Sequence, residues 1–320
     1  MQHSNHAGVL FFSYFMTSVL ASSIHIGDSR VQQDCVWVSS DARRAIVCDG
    51  HGPRGHEFAH AVCEFQSRST IFEPVELFRA TNTYLHTILG PELVTTIGGT
   101  SCSALTVEPD GTLRVANIGD SAVRVWDTME TSIPMSVDHC PTNFLEFDRI
   151  REAGGMCVFA DNTQRYRKGK QPVFVQRNTP FFEFNEQGGY HSKNCRREWA
   201  AYFEIPQPYR DVDGYYRTYR LAMTRAFGDW ELVPYGLITE PSVTILLPTE
   251  GVRAIVMASD GLWDVLQDEE IGKLVRDPRF LDSRNAEGAS LALLDVALEA
   301  GTKMFGSNRD NVSIVVGYIG

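Results

Sequence analysis

The reading turns on Ala45–Gly55, AIVCDGHGPRG. Ala45, Ile46, Val47 and Cys48 belong in a buried strand, yet they run straight into an aspartate, two glycines and a histidine. A carboxylate at the end of a core strand, in a turn stripped of bulk, needs a partner.

The same arrangement recurs. RAIVCDG ends in Asp49-Gly50, RVANIGDS in Asp120, and RAIVMASDG in Asp260-Gly261, while SNRDNVSIVV places Asp310 just before a strand. Any one of these could cap a turn or begin a helix. Four strand ends with four aspartates point further, because an ionised carboxylate at the rim of an apolar core is costly unless paired. A divalent cation would satisfy several at once. Clustered carboxylates, backbone carbonyls and waters suit Mg²⁺ or Mn²⁺, and the chain has no Cys/His spacing of a structural zinc site. Gly50 and Gly52 would then let the backbone approach a metal or its ligand and adopt turn angles that other residues resist.

Composition narrows the function classes. The chain has 320 residues, 43% apolar and 22% charged, the balance of a soluble globular protein with a sizeable core. Its net charge of -11 argues against a nucleic-acid or anionic-membrane surface. Seven cysteines form no CxxC pair and leave one over under any full disulfide scheme, which favours a reducing compartment, cytosol or nucleus. The run GVLFFSYFMTSVLASS from Gly8 has no Lys or Arg before it and is interrupted by Ser and Tyr, so it reads as a buried N-terminal strand rather than a signal peptide.

No repeat, low-complexity tract or long linker marks a domain boundary, and one domain is the simpler expectation. Helical periodicity is clearest over 55–65, 73–89 and 287–305. Strands are expected over 44–48, 101–107, 112–118, 122–126, 252–258 and 311–319, with EPDG at 108–111 as a hairpin turn.

With these segments in place the chain resembles the metal-dependent Ser/Thr protein phosphatases of type 2C. RVQQDC (30–35), DGHG (49–52), GGTSCSAL (98–105), ANIGDSAVRV (116–125), DHCPTNFLEFDRIREAGG (138–155), LAMTRAFGDW (221–230), ASDGLWDVL (258–266) and GSNRDNVSIVV (306–316) follow the family's motifs in order. The resemblance implies an α+β fold, a four-layer αββα sandwich of two mainly antiparallel sheets flanked by helices, with a two-metal site at one edge. It implies that Asp49 bridges two tightly bound Mg²⁺ or Mn²⁺ ions, that the Gly50 carbonyl binds one, and that Asp260 and Asp310 bind the other. Asp34 would act through a water, Asp120 would serve a third, looser metal, and His51 matches a proposed general acid. The substrates implied are phosphoserine and phosphothreonine proteins, met by a monomer without nucleic acid or membrane.

Chemistry agrees with that assignment without requiring it. Two cations about 3.5–4 Å apart can acidify a shared water and neutralise phosphoryl oxygens, so no protein nucleophile is needed. A cysteine phosphatase, with a thiolate facing a phosphate loop and an arginine beside it, is not expected. His51 could protonate the departing alcohol oxygen or merely order metal waters.

The first motif departs from the pattern. Many relatives carry glutamate where this chain has Gln33, and their phosphate-binding arginine usually stands at the place of Ser29, one residue before Arg30. Arg30 is the candidate phosphate clamp, with a structural arginine as the alternative. Asp138, His139, Glu146 and Arg149 are expected to tie a loop to the following helix, and Thr100, Arg225 and Asp229 to support the metal ligands from behind. The rival from another class is a pseudophosphatase, a binding module that keeps the sandwich without turnover; retention of all four strand-end aspartates favours catalysis.

The segment from about 161 to 219 is an insertion where the family has a short connection. It carries Arg165/Arg167/Lys168/Lys170 and Lys193/Arg196/Arg197, with Phe181, Phe182, Phe184, Tyr190, Trp199, Tyr202, Phe203, Tyr215 and Tyr216 among them. A disordered linker would not be so aromatic. Its readings are an elaborated loop packing its own aromatics, or a docking surface or lid beside the metal site.

Overall fold

A computed structural model describes residues 18–29, 31–93, 98–127, 132–161, 175–177, 182–184, 190–192, 199–205, 209–210, 216–217, 219–248, 251, 253–306 and 310–320. Two five-stranded antiparallel sheets form its centre. One runs in the order Ser18–His25, Val312–Ile319, Arg253–Ala258, Ala122–Trp126, Ser132–Pro134; the other runs Ser242–Leu246, Leu113–Ile118, Cys102–Val107, Arg44–Cys48, Cys35–Val38.

Continuous apolar strands arise here because both faces of each sheet are covered. Ala45 and Val47 point into the layer between the sheets, together with Leu105, Val115, Val123, Ile255, Met257 and Val315. Their neighbours Ile46 and Cys48 point the other way, onto the helices Gly55–Arg68 and Pro74–Leu93 through Phe58, Val62, Phe78 and Leu85. On the opposite sheet Ala254, Val256, Ile314 and Val316 meet the helix Ala286–Phe305 and its neighbours through Leu293, Ala297 and Ile271. Helix, sheet, sheet, helix is the four-layer α+β sandwich expected from the resemblance. At about 1.5–3 kcal/mol for each fully buried aliphatic side chain, these three apolar layers are the main source of stability.

The six anticipated strands all form, shortened by at most one residue at the start. The EPDG turn closes with Glu108 N–H donating to the Thr112 carbonyl and Gly111 N–H to the Glu108 carbonyl. The N-terminal expectation needs correction. Among the described residues the first strand, Ser18–His25, lies at the sheet edge and pairs only with Val312–Ile319, and Val19 and Ile24 lie exposed on it. Residues 8–17 of the apolar run lie outside the described residues.

Part of the insertion continues a strand instead of looping. Met156–Asp161 pairs with Trp199–Glu204 in antiparallel register from Met156↔Glu204 to Asp161↔Trp199, and Val175–Arg177 and Arg220–Leu221 flank this pair in a four-stranded sheet. Phe203 and Ile205 are buried with Ile150, Leu221 and Leu237 beneath it. Both basic clusters, with Phe181 and Tyr215, lie outside the described residues. No described helix is long and apolar enough to cross a membrane.

Candidate active site

The opening turn is held from both sides. Asp49 N–H donates to the Ser101 hydroxyl at 3.2 Å, while its carbonyl accepts from Ser101 N–H and from the Thr100 hydroxyl, each at 2.9 Å. Thr100 thus supports a metal-ligand candidate through its backbone. A Cβ on Gly50 would fall 2.4 Å from the Gly55 carbonyl group and 2.6 Å from the Gln33 carbonyl oxygen. The missing bulk at Gly50 therefore clears protein backbone at the start of the following helix. Gly52 has φ 77°, the left-handed region that glycine enters freely.

Five carboxylates meet here across the two sheets. Asp34, buried ahead of the Cys35–Val38 strand, accepts from the Ser259 hydroxyl at 2.8 Å, and Ser259 in turn accepts from Ser313 N–H. The Gln33 N–H bonds to the Asn311 side-chain oxygen at 2.9 Å, joining the first motif to the last. Burial, then the fields of Asp34, Asp260, Asp310 and Asp120, push the Asp49 carboxyl well above its ordinary range. Asp260 is raised likewise by burial, Asp120 and Asp310, and Asp34 is raised by burial to about 6. Asp120 also rises to about 6 through burial, with His51 opposing and Asp138 and Asp264 adding. These groups repel one another when all are ionised, so the cluster holds either protons or cations.

The donor set fits a hard divalent cation. The Oδ1 atoms of Asp34, Asp120 and Asp260 are buried and accept no hydrogen bond. Such oxygens are expensive unless something compensates them. All candidate donors are oxygens, the Gly50 carbonyl included, as Mg²⁺ and Mn²⁺ require. Among the described residues no three His, Cys, Asp or Glu side chains close into a ready-made cage. The carboxylates share one field without converging on one point.

His51, next to Gly50, is placed by Asp229. Its Nε2 stands 2.6 Å from Asp229 Oδ2, and the Tyr219 hydroxyl donates to the other oxygen of Asp229. Burial opposes the imidazolium, but the Asp229 carboxylate overrides it and raises the His51 pKa. Asp229, expected behind the metal ligands, instead holds the candidate acid. Arg30 lies outside the described residues.

Two carboxylates were missed. A cavity of about 730 Å³ opens from Asp120, Asp260 and Asp310 and is also lined by Asp138 and Asp264. Asp138, expected to tie a loop, faces this cavity, where burial raises its pKa and Arg124 opposes. Asp264 had a legible signal: it stands one helical turn beyond Asp260, so both project from one side of the Asp260–Trp263 helix. Arg124 on the same wall lies over the Trp263 ring.

The loop-tying residues meet elsewhere. Glu146, buried, accepts from Arg149, Thr224 and Arg225, while Arg149 also reaches the Gly236 carbonyl. Arg225 belongs to this ionic knot and to the Glu240 carbonyl, and not to the metal-ligand support expected of it. His139 bridges Asn117 and Ser242.

One Cys-x5-Arg spacing, of the kind a cysteine phosphatase uses, runs from Cys48 to Arg54. It builds no phosphate loop: Cys48 is fully buried with its thiol pushed up by burial, and Arg54 pairs with Glu57.

Comparison with known proteins gives the same architecture. Probable protein phosphatase 2C 41 of Arabidopsis thaliana is 26% identical over 284 residues, covering 78% of this chain and 68% of its own. The serine-threonine phosphatase 2C of Toxoplasma gondii superposes with a TM-score of 0.65 at 18% identity, over 94% of each chain. The catalytic domain of the phosphatase PstP, solved in complex with 2 manganese ions, superposes at 0.53 and 17% identity over 95% of this chain and 99% of its own. The protein phosphatase 2C family model matches residues 81–304, from the second helix to the last, and the chain belongs to that family.

Proposed function

We propose that this chain is a metal-dependent protein phosphatase, hydrolysing phosphoserine and phosphothreonine in proteins by attack of water, with residues 1–320 forming one catalytic unit interrupted at about 161–219. The observation carrying this reading is the set of unpartnered buried carboxylate oxygens on Asp34, Asp120 and Asp260, gathered where both sheets end. Asp49, the Gly50 carbonyl, Asp260 and Asp310 would hold two Mg²⁺ or Mn²⁺ ions, as the manganese-bound PstP neighbour supports. Asp34, with one oxygen committed to Ser259, keeps the other for an intervening water. Asp120 would serve a weaker third cation, with Asp138 and Asp264 across the same cavity.

When bound, two such ions acidify water and neutralise phosphoryl oxygens. The chain's own part is to position and to move a proton. His51, whose pKa Asp229 raises, donates to the departing serine or threonine oxygen, which is too basic to leave as an alkoxide. Tyr219 fixes Asp229, and so the ring orientation. Arg30 as phosphate clamp remains part of the proposal on the strength of the family pattern.

The test is phosphate release from phosphothreonine peptides in Mn²⁺, Mg²⁺ or chelator. Release with either metal and none with chelator is expected. No release under any metal would leave a pseudophosphatase.

A further inference from the structure

Sulfur gathers directly behind the carboxylate cluster. Cys35 faces Cys48 across their two strands, and the next pairing, Val47↔Ser103, continues one step to set Cys48 beside Cys102. Cys63, on the helix Gly55–Arg68, packs into the same buried cluster as Cys48 and Cys102, with Cys35 against its edge. The Cys63 thiol lies beside both Cys35 and Cys48 in that cluster. One turn earlier on that helix, exposed His60 places Nδ1 3.5 Å from Cys35 Sγ. Cys35 is half-buried and open on the His60 side, whereas Cys48, Cys63 and Cys102 are buried. All four are free thiols.

We propose that Cys35 and Cys63 are a peroxide-responsive dithiol that closes into a disulfide between the Cys35–Val38 strand and the Gly55–Arg68 helix. Packing alone does not call for four sulfurs side by side, since alanine or valine would fill an apolar layer as well. A soft-metal site is the other chemistry such a group suggests, but no three of these side chains converge on a point. Two thiols in contact, one of them reachable by a small oxidant, are what disulfide formation requires.

The steps balance with hydrogen peroxide as oxidant. Cys35 Sγ, the reachable thiol, passes its proton to His60 Nδ1 and attacks one peroxide oxygen; the O–O bond breaks, hydroxide leaves and takes up that proton as water, and Cys35 becomes a sulfenic acid. Cys63 Sγ then attacks the Cys35 sulfur, the S–S bond forms, the S–O bond breaks, and water departs with the Cys63 proton. Cys35 directly follows Asp34, and Gln33 carries the hydrogen bonds to Gly50 and Gly52, so the link pins the segment that sets the metal cluster. That regulatory consequence rests on the proposed phosphatase function; the dithiol itself does not.

The full chain is treated with hydrogen peroxide, its remaining thiols are alkylated, and its peptides are mapped by mass spectrometry with and without dithiothreitol. The expected result is a Cys35 peptide joined to a Cys63 peptide and separated on reduction. Alkylation of both cysteines while another thiol oxidises, or a Cys48–Cys102 link in their place, overturns the proposal. Cys35→Ser should abolish the link; Cys48→Ala, which keeps both partners, should retain it and covers the case in which the first variant misfolds. In parallel, Mn²⁺-dependent phosphopeptide hydrolysis should fall as the link accumulates and return on reduction, with Cys35→Ser resistant. A link without loss of activity overturns the regulatory step, whereas a reduced chain with no activity defeats the phosphatase reading and leaves the mapped link standing.

Discussion

His51 and Asp229 stand 2.6 Å apart, Nε2 to Oδ2, although 178 residues separate them in the chain. The pair joins the DGHG turn to the FGDW motif, and the Asp229 carboxylate raises the histidine pKa against the opposing effect of burial. Asp229 itself has φ 47°, a left-handed conformation that asparagine also tolerates. Asp229→Asn should therefore preserve the backbone while removing the charge that raises the His51 pKa. Hydrolysis of phosphoserine peptides should fall by about 10²-fold or more, with a much smaller loss on aryl phosphates, whose leaving groups need no proton. His51→Gln should show the same asymmetry. Equal losses on both substrate types would remove the acid role from His51.

Asp260→Asn and Asp310→Asn should each abolish Mn²⁺-dependent turnover with little unfolding. The Asp260 case carries a second readout, since its carboxylate is raised by burial and by Asp120 and Asp310, so the charge is a burden in metal-free protein. In chelator the asparagine variant should melt at or above the wild-type temperature. Adding Mn²⁺ should raise wild-type melting and do so far less in the variant, because stabilisation follows RT ln(1 + [L]/Kd). An undiminished Mn²⁺ shift in both variants would place the metals elsewhere.

Gln33 explains why the first motif can lack a glutamate here. Its side-chain amide donates to the Gly52 carbonyl at 2.6 Å, which an ionised carboxylate cannot do. Gln33→Glu would set a negative charge against a carbonyl oxygen and leave the left-handed Gly52 turn without that donor. The expected cost is about 1–3 kcal/mol, read as lower stability to urea in chelator. A variant as stable as wild type would show that the bond is dispensable.

His139 makes a separate pH prediction. Burial, then Arg225 and Arg149, with Glu146 opposing, lower its pKa from 6.5 to about 4. The unfolded chain therefore binds this proton first as pH falls, and the folded state loses stability between pH 6.5 and 4. The shift corresponds to about 3 kcal/mol. The cluster carboxylates titrate in wild type and in His139→Gln alike, so the difference between the two isolates the histidine. Any wild-type advantage measured by urea unfolding at pH 7 should shrink by about 3 kcal/mol at pH 4; a constant difference would contradict the assignment.

What the sequence displayed and what it hid follow from locality. AIVC, RAIVMA and SIVV were legible because strands covered on both faces are apolar at every position, and the aspartates after them stand out against that background. Asp264 was half legible, one helical turn from Asp260. The engagement of His51 by Asp229 was not, since a motif match names both residues without saying which one the aspartate serves. Gly50 illustrates the same limit: the need for glycine was readable, but the obstruction is the backbone of Gly55 and Gln33, which only the folded turn brings together.

The insertion can be tested with a boundary that the fold supplies. Replacing 161–218 wholesale would remove Phe203, fully buried with Ile150, Leu221 and Leu237, and that large truncation of a core costs several kcal/mol. Such a variant should be strongly destabilised or fail to fold. Asp161 and Trp199, by contrast, are the last register partners of two adjacent strands, so a short Gly/Ser turn can replace 162–198 without moving either. This second variant should fold and retain Mn²⁺-dependent hydrolysis of a small aryl phosphate, because Asp49, Asp120, Asp260 and Asp310 lie on other elements. It removes Arg165, Arg167, Lys168, Lys170, Lys193, Arg196 and Arg197 together. If those cations dock acidic phosphoproteins, its preference for phosphopeptides with acidic flanks should weaken relative to basic ones, and more so at low than at high salt. An unchanged ranking in a folded, active variant would make the insertion architecture alone.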